Sequence, residues 1–128
     1  MLSGGDDHPQ RLLTEIEMIK QFRQRKKPIL GICHGTFLLT QLWGGKLIAV
    51  EGHRRTKHAI YYKGTEMQMN SYHGSAITEA PEGADVLVTD QDGYIESWMS
   101  GNTLAVVWHP ERDIENSHWM PEEYQSLL

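Results

Sequence analysis

Pro28-Ile29-Leu30-Gly31-Ile32-Cys33-His34-Gly35-Thr36-Phe37-Leu38-Leu39 joins two kinds of pattern. Up to Ile32 it is a short apolar run that reads as a buried strand; beyond Cys33 the apolar spacing becomes helical. The change falls on the chain's only cysteine, with a glycine two residues to either side. A strand that turns sharply into a helix holds the junction residue in a strained backbone conformation and lifts its side chain clear of the sheet. Flanking side chains would collide at such a turn, so glycine is needed on both sides. The helix that follows points its positive end at the sulfur and favours thiolate, the nucleophilic form. A lone cysteine is otherwise a small buried hydrophobe. The paired glycines and the change of period single out Cys33 as a nucleophile.

A second stretch supplies what a thiolate needs. Leu104-Ala105-Val106-Val107-Trp108 reads as another buried strand and runs into His109-Pro110-Glu111. On an extended segment His109 and Glu111 leave on the same face. Pro110 marks the strand end, because it cannot continue a ladder and favours an extended residue before it. Cys33, His109 and Glu111 then form a nucleophile, a base and a group that orients the base.

Composition bounds the rest. The chain has 128 residues, which suits one domain with one core. The formal net charge of −5 gives no basis for a nucleic-acid partner. No apolar run approaches the ~20 residues that cross a membrane, and no charged-then-apolar leader pattern is present. One cysteine forms no internal disulfide, and a reactive thiol calls for reducing surroundings, so the expected location is cytoplasmic.

Met1–Asp7 reads as a strand end entering a glycine turn. Leu12, Leu13, Ile16, Ile19 and Phe22 predict a helix from Pro9 to about Lys27. The helix after Cys33 should run to about Trp43 and stop at Gly44-Gly45. Strands are predicted at Lys46–Val50, Ala59–Tyr62, Glu66–Asn70, Ala84–Thr89, Tyr94–Met99 and Thr103–Val107, with turns at Asp92-Gly93 and Gly101-Asn102. Pro121–Leu128 reads as a terminal helix. The pattern is α/β in a single domain.

Five blocks in this order resemble the class I glutamine amidotransferase superfamily: Leu2-Ser3-Gly4-Gly5-Asp6-Asp7, Gly31-Ile32-Cys33-His34-Gly35, Gly44-Gly45-Lys46-Leu47, Met69-Asn70-Ser71-Tyr72-His73 and His109-Pro110-Glu111. The resemblance implies a flavodoxin-like α/β fold with a largely parallel central sheet. It also implies a Cys33-His109-Glu111 triad, and an oxyanion hole made by the backbone N–H of His34 and of a glycine in Gly4-Gly5, Gly4 being preferred. The reaction implied is thiolate attack on a γ-glutamyl amide of a small-molecule substrate, through a thioester, with no cofactor and no metal. Family members carry on the order of 40 to 50 further residues before the oxyanion strand, in elements of βαβ size. The chain is therefore expected to be an N-terminally truncated, partial domain over residues 1–128. An exposed sheet edge would make a homo-oligomer reasonable.

The Asn70-Ser71-Tyr72-His73 segment is similar to the γ-glutamyl hydrolase branch, and the resemblance would have it line the glutamyl pocket. A plain strand-end turn fits the same residues equally well. Within that branch the chain resembles small enzymes that remove glutamate from γ-glutamyl-CDP-amidate in capsule modification. His53-Arg54-Arg55-Thr56-Lys57-His58 is a basic cluster in an acidic chain. It is either a solvated loop or a place where Arg54 or Arg55 grips an anionic substrate group. His53 and His58 lack the cysteine or carboxylate pairing of tetrahedral zinc. Trp98, Trp108 and Trp119 are expected in the core or at an interface, and Met18, Met67, Met69 and Met99 in packing roles. Two alternatives stay open: a glutaminase subunit serving a separate synthetase, and a catalytically silent fragment.

Overall fold

A computed structural model describes residues 2–3, 9–49, 54–72, 74–109 and 119–127. In chain order the elements are β1 (Leu2–Ser3), α1 (Pro9–Gln24), β2 (Ile29–Ile32), α2 (His34–Leu42), β3 (Lys46–Ala49), β4 (Arg54–Tyr62), β5 (Thr65–Tyr72), β6 (Ser75–Glu79), β7 (Asp85–Asp90), β8 (Ile95–Ser100), β9 (Thr103–Val106) and a 3₁₀ helix at Glu122–Leu127. Among the described residues the strands form one sheet in the order β1-β2-β9-β8-β7-β4-β5, with β6 joining β8 and β3 joining β6.

The sheet has two characters. β1, β2 and β9 are mutually parallel, in the register Leu2↔Gly31 and Ile32↔Val106. From β9 outward every pairing is antiparallel. The largely parallel sheet expected from the sequence is thus confined to the corner that carries Cys33. The reason lies in the connections. A parallel neighbour needs a long crossover, which α1 supplies, whereas Asp92-Gly93 and Gly101-Asn102 allow tight hairpins. Gly93 and Gly101 sit at φ 84° and φ 57°, where a side chain would be strained.

α2 lies close on one face of this corner. Gly31 and Ala105 pair across β2 and β9, and so share that face with Trp98, which pairs with Ala105. A Cβ on Gly31 would stand 2.8 Å from Leu39 Cδ1 and 3.3 Å from the Thr36 Cα. The helix can approach because these positions are small. The Trp98 indole N–H donates to Thr40 Oγ1 at 2.9 Å, Thr40 Oγ1 donates to the Thr36 carbonyl at 2.7 Å, and Thr36 Oγ1 donates to the Val106 carbonyl. All three side chains are buried, and the chain of bonds satisfies their polar atoms. α2 ends as its glycines predict. Gly44 adopts φ 92°, Gly45 N–H reaches the Thr40 carbonyl at 2.7 Å, and Gly44 N–H reaches Gln41 at 3.3 Å, a Schellman closure.

α1 contributes buried Ile19 and half-buried Phe22 to the core. Its Leu13 and Met18 are exposed, so Met18 does not pack as expected. Met69 is buried, while Met67 and Met99 pack at the core margin. Trp98 and Trp108 are core residues and Trp119 packs against them, as expected. The terminal segment forms a 3₁₀ helix, shorter and tighter than the helix expected there. β6 was not foreseen, and β4 begins at Arg54 rather than Ala59.

Strand direction alternates across β9, β8, β7, β4 and β5, so the end of β5 and the start of β4 point the same way as the carboxyl ends of β2 and β9. β4 meets β7 only over Ile60–Tyr62, with Asp90 opposite Ile60. Residues Arg54–His58 of β4, paired with Met69–Tyr72 of β5, continue past the last residue of β7 as a two-stranded arm.

Candidate active site

Cys33 occupies the turn between β2 and α2, with φ 48° and ψ −104°. That left-handed conformation costs a non-glycine residue on the order of 1–3 kcal/mol, and it persists because its surroundings fix it. The Cys33 N–H donates to the Val106 carbonyl at 2.9 Å, and the Cys33 carbonyl accepts the Phe37 N–H at 3.0 Å. Val106 thus holds both the elbow, through Cys33, and the first turn of α2, through Thr36. The residue is 4% exposed, so it satisfies both readings of a lone cysteine: it is buried, and it stands at a strained strand-to-helix junction.

His109 lies three residues beyond Val106, the last residue of β9, and is half-buried. β2 and β9 are adjacent and parallel, so Cys33 and His109 leave neighbouring strands at the same end of the sheet. The approach to His109 is braced from behind. The Trp108 indole N–H donates to the Trp119 carbonyl at 3.1 Å, with ring centroids 5.6 Å apart, and Tyr62 meets Trp119 edge-on at 5.1 Å. Burial pushes the Tyr62 hydroxyl up to about 12, helped by its hydrogen bond to the Glu123 carboxylate.

Glu111, Gly4, Gly5 and His73 lie outside the described residues. His34 opens α2 with its N–H in the first turn, where backbone donors have no partner within the helix. Arg54 and Arg55 lie in β4, and Asn70, Ser71 and Tyr72 in β5. The basic cluster is therefore strand rather than loop over Arg54–His58, because β5 supplies its ladder partners. The register sets Arg54 opposite Tyr72, Thr56 opposite Ser71 and Lys57 opposite Asn70, with an irregularity at Arg55. The two stretches expected to touch substrate are thus brought together in one arm, at the end of the sheet where Cys33 lies. His53 is outside the described residues, and His58 is in β4 beside Met69.

Two buried residues near this corner carry no signal in the sequence. Thr36 looks like an ordinary helix residue, and only the register of β9 shows that its hydroxyl ties α2 to Val106. Glu96 was folded into a predicted strand, yet it is a carboxylate only 2% exposed.

The family model "Glutamine amidotransferase class-I" matches residues 1–121. A γ-glutamyl-CDP-amidate hydrolase of Campylobacter jejuni is 28% identical over 88% of this chain and 62% of its own length. A glutamine-hydrolyzing GMP synthase of Bdellovibrio bacteriovorus is 32% identical over 87% of this chain and 23% of its own. The crystal structure of a glutamine amidotransferase from Thermotoga maritima superposes with a TM-score of 0.71 at 16% identity, over 86% of this chain and 53% of that one. The chain spans between 23% and 62% of the length of these curated relatives. Likeness to the solved structure establishes a flavodoxin-like α/β fold with an open sheet.

Proposed function

Since the chain belongs to the class I glutamine amidotransferase family, we propose that it carries the cysteine amidohydrolase site of that family and cleaves a γ-glutamyl amide. The observation that carries the proposal is Cys33 at φ 48°, hydrogen-bonded to the strand that delivers His109. In this mechanism the Cys33 thiolate attacks the γ-carbonyl carbon, and the carbonyl oxygen takes the negative charge. The His34 N–H and an N–H of Gly4 or Gly5 receive that oxyanion, each donor contributing about 3 kcal/mol to the barrier. Protonated His109 gives its proton to the leaving nitrogen as the C–N bond breaks, leaving a thioester and a free amine. His109 then removes a proton from water, the resulting hydroxide attacks the thioester, and glutamate leaves as the thiolate is restored. Glu111 holds His109 in one tautomer and stabilises its protonated form.

The finer reading is a free-standing γ-glutamyl hydrolase whose substrate is a γ-glutamyl-CDP-amidate of capsule phosphoramidate synthesis. Similarity to the Campylobacter hydrolase supports it. So does the arm, where Arg54 and Arg55 have charge suited to a pyrophosphate and Asn70–Tyr72 have groups suited to a glutamyl moiety. The chemistry suits the reducing cytoplasm. Similarity to the glutamine-hydrolyzing synthase favours a second reading, a glutaminase subunit that passes ammonia to a separate synthetase.

The deciding experiment is intact mass spectrometry after incubation with the glutamine analogue 6-diazo-5-oxonorleucine. A single adduct on Cys33 that disappears in His109→Ala is expected. Absence of an adduct while a general alkylator still reaches the thiol would refute a formed glutamyl pocket and leave a silent fragment. Glutaminase activity that rises only when a synthetase is added would select the second reading.

A further inference from the structure

Glu96 and Asp90 are the buried acidic residues among the described ones, and the mechanism above uses neither. The Glu96 residue is 2% exposed, and a buried acid is kept only where its surroundings compensate its desolvation.

Register places it. Ser97 pairs with Val106 and Trp98 with Ala105; one step further, the Val107 N–H donates to the Glu96 carbonyl at 2.9 Å. β7 shifts register against β8 at Ser97, but β9 keeps a regular register through Glu96, and side chains alternate along it, so Glu96 faces the same way as Trp98. Trp98 faces α2, because its indole bonds Thr40 Oγ1. Glu96 therefore faces α2 as well. Two residues along β8 span about 6.8 Å, and the four residues from Thr40 back to Thr36 span about 6 Å of helix. Both displacements run towards the Cys33 end. Glu96 is thus carried to the level of Thr36 and Cys33, beneath the first turn of α2.

That turn has a need a carboxylate meets. Its leading N–H groups have no intrahelical acceptors, and the N-cap position holds a cysteine, whose sulfur is a weak acceptor, instead of the usual Ser, Thr, Asp or Asn. A negative charge beside the positive end of a helix is favourable, and more so when buried.

We propose that Glu96 is a positioning residue of this site: its carboxylate neutralises the first turn of α2 from beneath, fixing the direction of the His34 N–H and the charge balance around Cys33. The inference rests on the reading of Cys33 as nucleophile. Other titratable groups at this end of the described structure are His34 at the start of α2, His109 after β9, Asp90, Asp92 and Tyr94 at the turn into β8, and Arg54, Arg55, Lys57 and His58 along the start of β4. Asp90 already accepts from the Asp92 and Tyr94 N–H groups at 2.9 Å, within that turn.

The test is Glu96→Gln, read three ways: thermal midpoint, the pH profile of Cys33 alkylation by iodoacetamide, and turnover of a γ-glutamyl substrate. Removing a negative charge near the sulfur favours thiolate, so the alkylation midpoint should fall by about one pH unit. Turnover should drop at least about tenfold in kcat with KM little changed, as for an oxyanion donor moved off its line. A folded Glu96→Gln protein with an unmoved alkylation midpoint overturns the proposal, since a group that merely fills space would give that result. If Glu96→Gln does not fold, Glu96→Asp keeps the charge but withdraws it by one methylene. Its midpoint must move in the same direction by less, and an unmoved midpoint again overturns the proposal. Alkylation needs no turnover, so the two ideas fail separately. A shifted midpoint in a protein that hydrolyses no γ-glutamyl compound removes the functional reading and leaves the role of Glu96 in place.

Discussion

The parallel corner and the antiparallel wing of this sheet are built on different principles. In the corner, β2 and β9 lie under α2 through small residues and a line of buried hydrogen bonds from Trp98 to Val106. Little there can change without moving Cys33. In the wing, β4 and β5 form a long hairpin, turning at Lys63-Gly64 and held to β7 over three residues. The corner fixes a geometry, while the wing presents side chains. Chemistry that depends on tenths of an ångström belongs on the first, and recognition that varies with substrate belongs on the second.

The widest gap between the two regions should appear in turnover. Cys33→Ala and His109→Ala should each lower kcat by about 10⁴-fold or more, because triad members act as a unit. Arg55→Ala in the wing should raise KM for an anionic nucleotide substrate while kcat holds. Steady-state kinetics on the three variants decides, and an active Cys33→Ala would erase the distinction. Stability gives the next largest contrast. Gly31→Ala places a methyl 2.8 Å from Leu39 Cδ1 and close to the Thr36 backbone, and should cost about 2–3 kcal/mol in urea unfolding. Gly64→Ala at φ 80° has nothing within 4 Å, and should cost only about 1 kcal/mol of backbone strain. Equal costs would mean that the helix approach is not tight. Trp98→Phe, which deletes the donor to Thr40, should cost about 1–2 kcal/mol by the same measurement.

The smallest effect lies where wing meets carboxyl terminus. Tyr62 titrates at about 12 in the folded protein against an ordinary 10. A raised folded value favours the protonated fold, so this contribution is whole below pH 10 and is lost as pH rises through 12. The thermal midpoint of the parent should therefore fall more steeply across that interval than that of Tyr62→Phe.

The corner was legible in the sequence because its constraints are local. Gly31 and Cys33 stand where a sharp strand-to-helix turn demands them, and Gly44-Gly45 closes α2 by backbone geometry alone. The wing was not, because its structure is borrowed from its partners. Arg54–His58 has no apolar alternation and looks like a charge run, and it becomes strand only through the β5 ladder. β6 carries buried Ala76 and Ile77 beside exposed Thr78 and Glu79, too short a signal to separate from a loop. Glu96 shows the same limit in β8. A glutamate in a strand reads as a solvent-facing position, and only the register with β9 and the bond from Trp98 to Thr40 turn it inward.

The arm that continues past β7 also acts as a lever. From Ala59, whose carbonyl accepts the Gln91 N–H at 3.1 Å as the last anchor, it reaches about 17 Å to Arg54. A rocking of about 5° at that hinge would sweep Arg54 through roughly 1.5 Å over such a length. Substitutions around Thr89 and Tyr61, remote from any reacting atom, can therefore retune the distance between the arm's end and the rest of the site. A small change at that fulcrum displaces the end of the arm, while the elbow at Cys33 stays fixed.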